Sequence, residues 1–247
     1  MYSSFRSYKS FVTKKKFKER YSDKVNTIIF LVRSHNRPEY LLETLRSTLL
    51  ADIDLCTKRY IYDDGSKDTD TLYLLSNPSY INVKGKEFKV ILNESNRGCR
   101  WSYVEALELL KKENSGEYII CTVDNDVQVK PNFIQTILDE YNKISNHYEK
   151  HVLLTGFRST NSHNNAYDEQ DTFHRKSSFG GVNFIFHSDM TDLIIEGWSN
   201  DDDWGVNHLL NQNDIPMCCL NKSILNHIGK FGLFSSGEHH YDHDSNF

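Results

Sequence analysis

A chain of 247 residues with 38% hydrophobic and 13% aromatic content has enough apolar material for a substantial core, and 26% charged residues is ordinary for a protein in water. Its net charge of −5 argues against nucleic acid as the main partner, because phosphate binding needs a basic face. No apolar stretch reaches the length of a bilayer-spanning helix, and the opening MYSSFRSYKSFVTKKKFKER has no apolar run of the signal-peptide kind.

Residues 1–24 form a basic arm in which Lys14, Lys15, Lys16, Lys18 and Arg20 interleave with Phe11, Phe17 and Tyr21. Such an arm is either a solvated, frayed helix or a segment that touches an anionic membrane or a partner peripherally. From residue 25 a different rhythm begins. TIIFLV (27–32) is a continuous apolar run, the mark of a strand buried on both faces. Pro38 then opens a helix with Leu41, Leu45, Thr48 and Leu49 at helical spacing. KRYIY (58–62) predicts the second strand, and DDGSKDTDT turns into a short helix through Leu72 and Leu75. FKVILN (88–93) predicts the third strand, followed by a helix with Trp101, Val104, Leu107 and Leu110 on one face. EYIICTV (117–123) predicts the fourth, and a helix after Pro131 carries Ile134, Ile137, Leu138 and Tyr141. Four alternations of strand and helix point to an α/β fold with a mainly parallel central sheet flanked by helices.

The second half is less regular. HVLLTGF (151–157) and FGGVNFIFH (179–187) read as strands, separated by a long polar connection of the functional-loop kind. The glycine pair Gly180-Gly181 marks a place where something approaches the backbone closely. SNDDDWGVNHLL (199–210) reads as a helix start rich in acids, and the tail after residue 236 holds His239, His240 and His243. There is no repeat and no linker, so residues 25–236 are expected to form a single domain, followed by a tail over 237–247.

In sheets of this type ligands bind beyond the carboxyl ends of the strands. The polar clusters fall there: Arg33 to Asn36, Asp63 to Ser66, Asn93 to Gly98, and Asp124-Asn125-Asp126. Three polar side chains at a buried strand end cost solvation unless a metal, a hydrogen-bond network or a turn engages them. No glycine-rich phosphate loop is present, so a nucleotide here needs other means, and a divalent ion can bridge a diphosphate to carboxylates. Asp126 is placed for that ion, and Asp124 or Asn125 for a ribose hydroxyl.

Residues 27–132 resemble glycosyltransferase family 2 and related GT-A-fold sugar-nucleotide transferases. The resemblance is carried by IIFLVRSHNRPEYLLETLRSTL, YDDGSKDTDT, NESNRG and VDNDVQVKPNF, in that order. It implies a nucleotide-sugar-binding half over 25–130 and an acceptor half over 131–236. Arg33 and His35 would border the base and ribose, Asp64 would accept the uracil imide hydrogen, and one of Asp63 and Asp64 would serve the turn. Arg97 would meet the diphosphate and Asp126 would hold Mn2+ or Mg2+. NHIGKFGLFSS (226–236) is similar to a segment whose histidine, here His227, completes the metal site. WSNDDDWGVNHLL is similar to a segment carrying the catalytic base, with Asp202 and Asp203 both eligible. Gly180, Gly181, Trp198 and Trp204 would shape the acceptor pocket, although both tryptophans are equally at home in a core.

The implied function is metal-dependent, inverting transfer from a nucleoside-diphosphate sugar, UDP-linked, to a hydroxyl of a glycan or other acceptor. A non-catalytic nucleotide- or glycan-binding protein and a sugar-phosphate nucleotidyltransferase are the competing readings. Five cysteines without metal-site spacing read as reduced thiols of a cytoplasmic protein. Abundant Asn, Lys, Ile and Tyr point to an AT-rich genome, such as that of a large DNA virus or a low-GC microbe.

Overall fold

The computed structural model describes residues 25–83, 85–159, 166–231, 244 and 247. The basic arm, part of the polar connection and the tail histidines therefore lie outside the described residues.

The first half alternates as the apolar runs require: β1 (Ile28–Ser34), α1 (Pro38–Leu50), β2 (Lys58–Asp63), α2 (Thr69–Ser76) and the short α3 (Pro78–Ile81). A small hairpin of β3 (Asn82–Val83) and β4 (Lys86–Glu87) leads to β5 (Lys89–Leu92), then α4 (Gly98–Glu113), β6 (Ile119–Asp124), β7 (Val127–Val129) and α5 (Phe133–Tyr148). The second half contributes β8 (Leu153–Thr155), β9 (Ala166–Glu169), β10 (Phe173–Lys176), β11 (Asn183–His187), α6 (Thr191–Gln212), β12 (Met217–Leu220) and β13 (Leu225–His227).

Among the described residues the main sheet has nine strands in the order β5-β2-β1-β6-β11-β8-β12-β10-β9. The strands predicted in the first half, β5, β2, β1 and β6, pair in parallel. The second half departs from a parallel pattern, since β11 runs antiparallel to both β6 and β8, and β9 and β10 form an antiparallel hairpin. That hairpin occupies much of the predicted polar connection. β1 and β6 are buried along nearly their whole length, whereas β5, at the sheet edge, has exposed ends and a half-buried middle. One apolar cluster packs α1 and α5 against the sheet, with Leu41, Leu45, Phe133 and Ile137 at its centre. A second cluster, with Tyr103, Leu107, Phe184 and Trp198, packs α4 and α6 on the other side.

Local capping fixes the helix starts. Asp52, from a different segment, accepts from the Ile134 and Gln135 amides and caps α5. Asp68 caps α2 through the Thr71 amide. The predicted acid-rich helix start at 199–210 is instead a break inside a longer helix, since α6 begins at Thr191 and leaves helical geometry at Asp201 (φ −158°) and Asp202 (φ 49°). The acids still stand at a helix beginning, that of the second segment.

The DDGS turn is tight for a steric reason. Gly65 has φ 68°, and a Cβ there would lie 2.4 Å from the Ser95 carbonyl carbon, so the turn after β2 nests against the turn after β5. Gly65→Ala is expected to cost about 3 kcal/mol through strain and overpacking. For a chain of this size the melting temperature should fall by about 6–12 °C, readable in a thermal melt.

Candidate functional site

The carboxyl ends of β1, β2 and β6 lie side by side. Arg33 is in register with Asp124 and Ser34 with Asp63. Cross-strand register therefore sets Arg33 beside Asp124, and the two form a salt bridge. The Arg33 guanidinium also donates to the Gly181 carbonyl at 3.2 Å and lies over the Tyr103 ring, 4.4 Å from its centroid. Burial pushes the Asp124 carboxyl up to about 6, with Arg33 pulling the other way.

Asp126, two residues on, is 5% exposed. Its Oδ2 accepts from Arg37 Nη1 at 2.7 Å and lies 3.3 Å from His227 Nε2. His227 arrives because β13 pairs antiparallel with β7, which puts His227 opposite Val127, and the Ile228 amide donates to the Asp126 carbonyl at 2.8 Å. The hydroxyls of Thr44 and Ser47 accept from the Val127 and Val129 amides and anchor this strand on α1. Asn125 donates its amide to the Asn36 carbonyl, so the residue between the acids serves the scaffold.

Two observations test whether a divalent ion fits here. Asp126 Oδ1 is buried and has no hydrogen-bond partner, which is costly unless something binds it. A Cβ at Gly229 would stand 2.2 Å from Asp126 Oδ2 and 2.9 Å from His227 Nε2, so the glycine keeps open a cradle over the pair. Carboxylate oxygen and imidazole nitrogen are suitable donors for Mn2+, and carboxylate oxygen for Mg2+. The residues fit the ion.

Of the two aspartates after β2, Asp63 serves the turn, accepting from the Ser66 amide and hydroxyl. Asp64 accepts from the Arg97 and Gly98 amides and so caps α4, each oxygen keeping a lone pair for a further donor. His35 lies beside it, its Nδ1 bonded to the Asp64 carbonyl at 2.8 Å and its Nε2 facing the Asn96 side-chain amide. The carbonyl makes Nδ1 the protonated nitrogen. The Arg97 side chain is exposed and pairs with Glu105, at the rim of the crevice.

The three consecutive acids separate. Asp202 pairs with Arg100 of α4, and Asp201 is exposed. Asp203 turns inward, its Oδ2 accepting from the Gly181 amide at 3.0 Å. Burial raises the Asp203 carboxyl above its ordinary range, opposed by the Gly181 and Trp204 amides. Gly181 thus bonds Arg33 with its carbonyl and Asp203 with its amide. Gly180 is exposed next to it. The tryptophans part company: Trp198 is 2% exposed and packs at a tilt against Tyr103, beneath the crevice and not along it, whereas Trp204 is 67% exposed. Trp198 therefore belongs to the core. Arg37, in the turn before α1, and Arg100 and Thr44, on helices, escaped the sequence reading because arginines and hydroxyls at such places have no distinguishing pattern.

Among the described residues a second His/Asp group, His151, His187 and Asp189, lies at the opposite sheet edge, where His187 is in register with Ile119. Its imidazoles stack in parallel, centroids 3.9 Å apart and planes 5° apart. A metal–imidazole bond lies in the ring plane, so one ion cannot take a lone pair from each ring in this arrangement. Burial pushes His151 down to about 4, which keeps it neutral in the stack at neutral pH.

Replacing Arg33 with Met should leave Asp124 without its counter-charge and cost about 3 kcal/mol. Urea unfolding should show that loss, and Asp124→Asn in the same chain should recover part of it.

Comparison with known proteins adds to this geometry. The family model described as Glycosyl transferase family 2 matches residues 30–204. Hyaluronan synthase of Streptococcus pyogenes is 34% identical over 116 residues, which cover 45% of this chain and 26% of that protein. The chain thus aligns with about a quarter of the length of the curated relatives it matches. The crystal structure of GalNAc-T7 with UDP, GalNAc and Mn2+ superposes with a TM-score of 0.62 at 13% identity, covering 81% of this chain and 43% of that one. The crystal structure of S. aureus TarS 1-349 gives a TM-score of 0.55 at 18% identity, covering 81% and 59%. Both likenesses concern the fold.

Proposed function

The chain belongs to glycosyltransferase family 2, and on that premise we propose that it is a metal-dependent, inverting transferase that moves a hexosyl or N-acetylhexosaminyl group from a UDP-sugar to an acceptor hydroxyl. The observation that carries the proposal is the buried, unpartnered Asp126 Oδ1 in a cradle closed by His227 and left open by Gly229. The UDP, GalNAc and Mn2+ named with GalNAc-T7 support the choice of donor and ion.

In this reading Asp126 and His227 hold Mn2+ or Mg2+. The ion supplies charge neutralisation to the departing diphosphate. Asp64 and His35 line the place of the base, and Asp124 and Asn125 lie near the ribose. Arg33 is too buried to travel, so it holds Asp124 and the Gly181 carbonyl in place.

Asp203 is the base. Its carboxylate is drawn inward by the Gly181 amide, and its raised proton affinity suits it to take the proton from an acceptor hydroxyl as the oxygen attacks the anomeric carbon. The carbon–oxygen bond to the acceptor forms while the bond to the diphosphate breaks, and a single displacement inverts the centre. Asp202, ion-paired to Arg100 and itself in the helix break, is a positioning residue. Trp204 offers an exposed aromatic face to an acceptor sugar.

Asp203→Asn should lower kcat by about 10²–10⁴-fold with little change in melting temperature, while Asp202→Asn retains turnover within about tenfold, roughly 1.4 kcal/mol in the barrier. Normal turnover in Asp203→Asn would remove the base. A thermal-shift screen of nucleotide-sugars with and without Mn2+ tests the donor, since a ligand that binds only the folded state raises its melting temperature. Stabilisation by UDP-sugars only when Mn2+ is present is expected. Stabilisation by UDP without turnover of any donor would favour a binding protein of the same fold.

A further inference from the structure

Asp126 has a partner that the proposed mechanism does not use. Arg37 closes the turn between β1 and α1 with φ 61° and ψ 58°, a left-handed conformation uncommon for a residue with a side chain and disfavoured before a proline. From there Nη1 donates to Asp126 Oδ2 and Nη2 donates to the Phe231 carbonyl, each at 2.7 Å. The same Oδ2 is the oxygen 3.3 Å from His227 Nε2. The guanidinium therefore holds one oxygen of the carboxylate that, with His227, would hold the ion, the unpartnered Oδ1 being the other. Two cations at contact distance repel strongly where solvent is scarce, so guanidinium and divalent ion compete for that carboxylate.

The other arginine at this edge behaves differently. Arg33 has a side chain 9% exposed, roofed by Gly181 and stacked against Tyr103, whereas the Arg37 side chain is 28% exposed. Arg37 thus borders solvent in a way that Arg33 does not. Its second contact also matters, because the Phe231 carbonyl lies four residues beyond His227, so one guanidinium ties the metal-site acid to the segment carrying the histidine.

We propose that Arg37 is a resident counter-cation that holds the Asp126 carboxylate until a divalent ion displaces it, and that it thereby sets the affinity of the site for metal. The inference rests on the metal reading given above. It makes metal loading an exchange of one cation for another, with the Phe231 carbonyl released in the same event. A lysine cannot reproduce the two-armed contact, because its ammonium lacks the planar fork.

The test is titration of the full chain with Mn2+ alone, following the free ion by electron paramagnetic resonance. Arg37→Gln is expected to bind Mn2+ more tightly than the wild type by about tenfold or more, a difference of about 1.4 kcal/mol, and Arg37→Lys to fall between them. Asp126→Asn, alone and combined with Arg37→Gln, should abolish this binding and so locate it. Should Arg37→Gln melt before the titration temperature, Arg37→Lys alone decides, with tighter binding than the wild type expected. Equal or weaker binding in the folded arginine variants, still lost in Asp126→Asn, overturns the role of Arg37 and leaves the metal reading standing. Absence of Asp126-dependent binding in every variant overturns both.

Discussion

Two carboxylates two residues apart at the end of a buried strand repel each other and lose hydration, and the architecture of this edge follows from compensating them. Asp124 and Asp126 each receive an arginine from the neighbouring central strand or the turn that follows it: Arg33 for the first and Arg37 for the second. The first pairing is a matter of register, since Arg33 and Asp124 are direct partners across β1 and β6. The second depends on a turn of two left-handed residues, Asn36 and Arg37, which reverses the chain and aims a long side chain back over the strand end. A charge pair this buried contributes little net stability against an apolar alternative. Its consequence is a polar crevice floor whose charges are fixed in place.

Compensation accounts for how distant segments converge. Asn125, between the acids, donates to the Asn36 carbonyl and so steadies the turn that presents Arg37. The short ladder of β7 with β13 brings His227 to Asp126 from about a hundred residues away, and the hydroxyls of Thr44 and Ser47 satisfy the amides that β7 leaves unpaired. Among the described residues, each buried polar group near the site is answered by another except Asp126 Oδ1, Ser34 Oγ, Asn93 Nδ2 and a few ring or guanidinium nitrogens, including Arg33 Nε, Arg37 Nε and Trp198 Nε1. Among these the carboxylate oxygen is the one whose chemistry attracts a cation.

The first half of the fold was legible because parallel strands covered on both faces must be continuous apolar runs, and TIIFLV and EYIICTV are such runs. The second half was harder for a physical reason. β8, β10 and β12 are three or four residues long and join the sheet largely by antiparallel pairing, so each carries little periodic signal. The start of α6 at Thr191 was missed because the acid-rich stretch that resembles a helix start is a real one, reached after a break within the same helix. Motifs located the candidate residues, but partners lay beyond them: nothing in DDGS says that Asp63 holds Ser66 while Asp64 caps a helix some thirty residues away. Trp198 and Trp204, six residues apart, could not be told apart until the break in α6 sent one into the core and the other into solvent.

That break also separates two acids that the sequence leaves equivalent. A continuous helix would spread Asp201, Asp202 and Asp203 around its circumference at about 100° intervals, with no reason for any one to face the sheet. With Asp202 in a positive-φ conformation, the chain restarts its helix at the next residue, and the Asp203 carboxylate comes against the Gly181 amide. Arg100 holds Asp202 on the outer side and so stabilises the conformation that turns Asp203 inward. Inward orientation carries burial with it, and burial is the leading cause that raises the proton affinity of Asp203. Direction and basicity thus have one origin in the backbone, and an acid placed elsewhere on this segment would have neither.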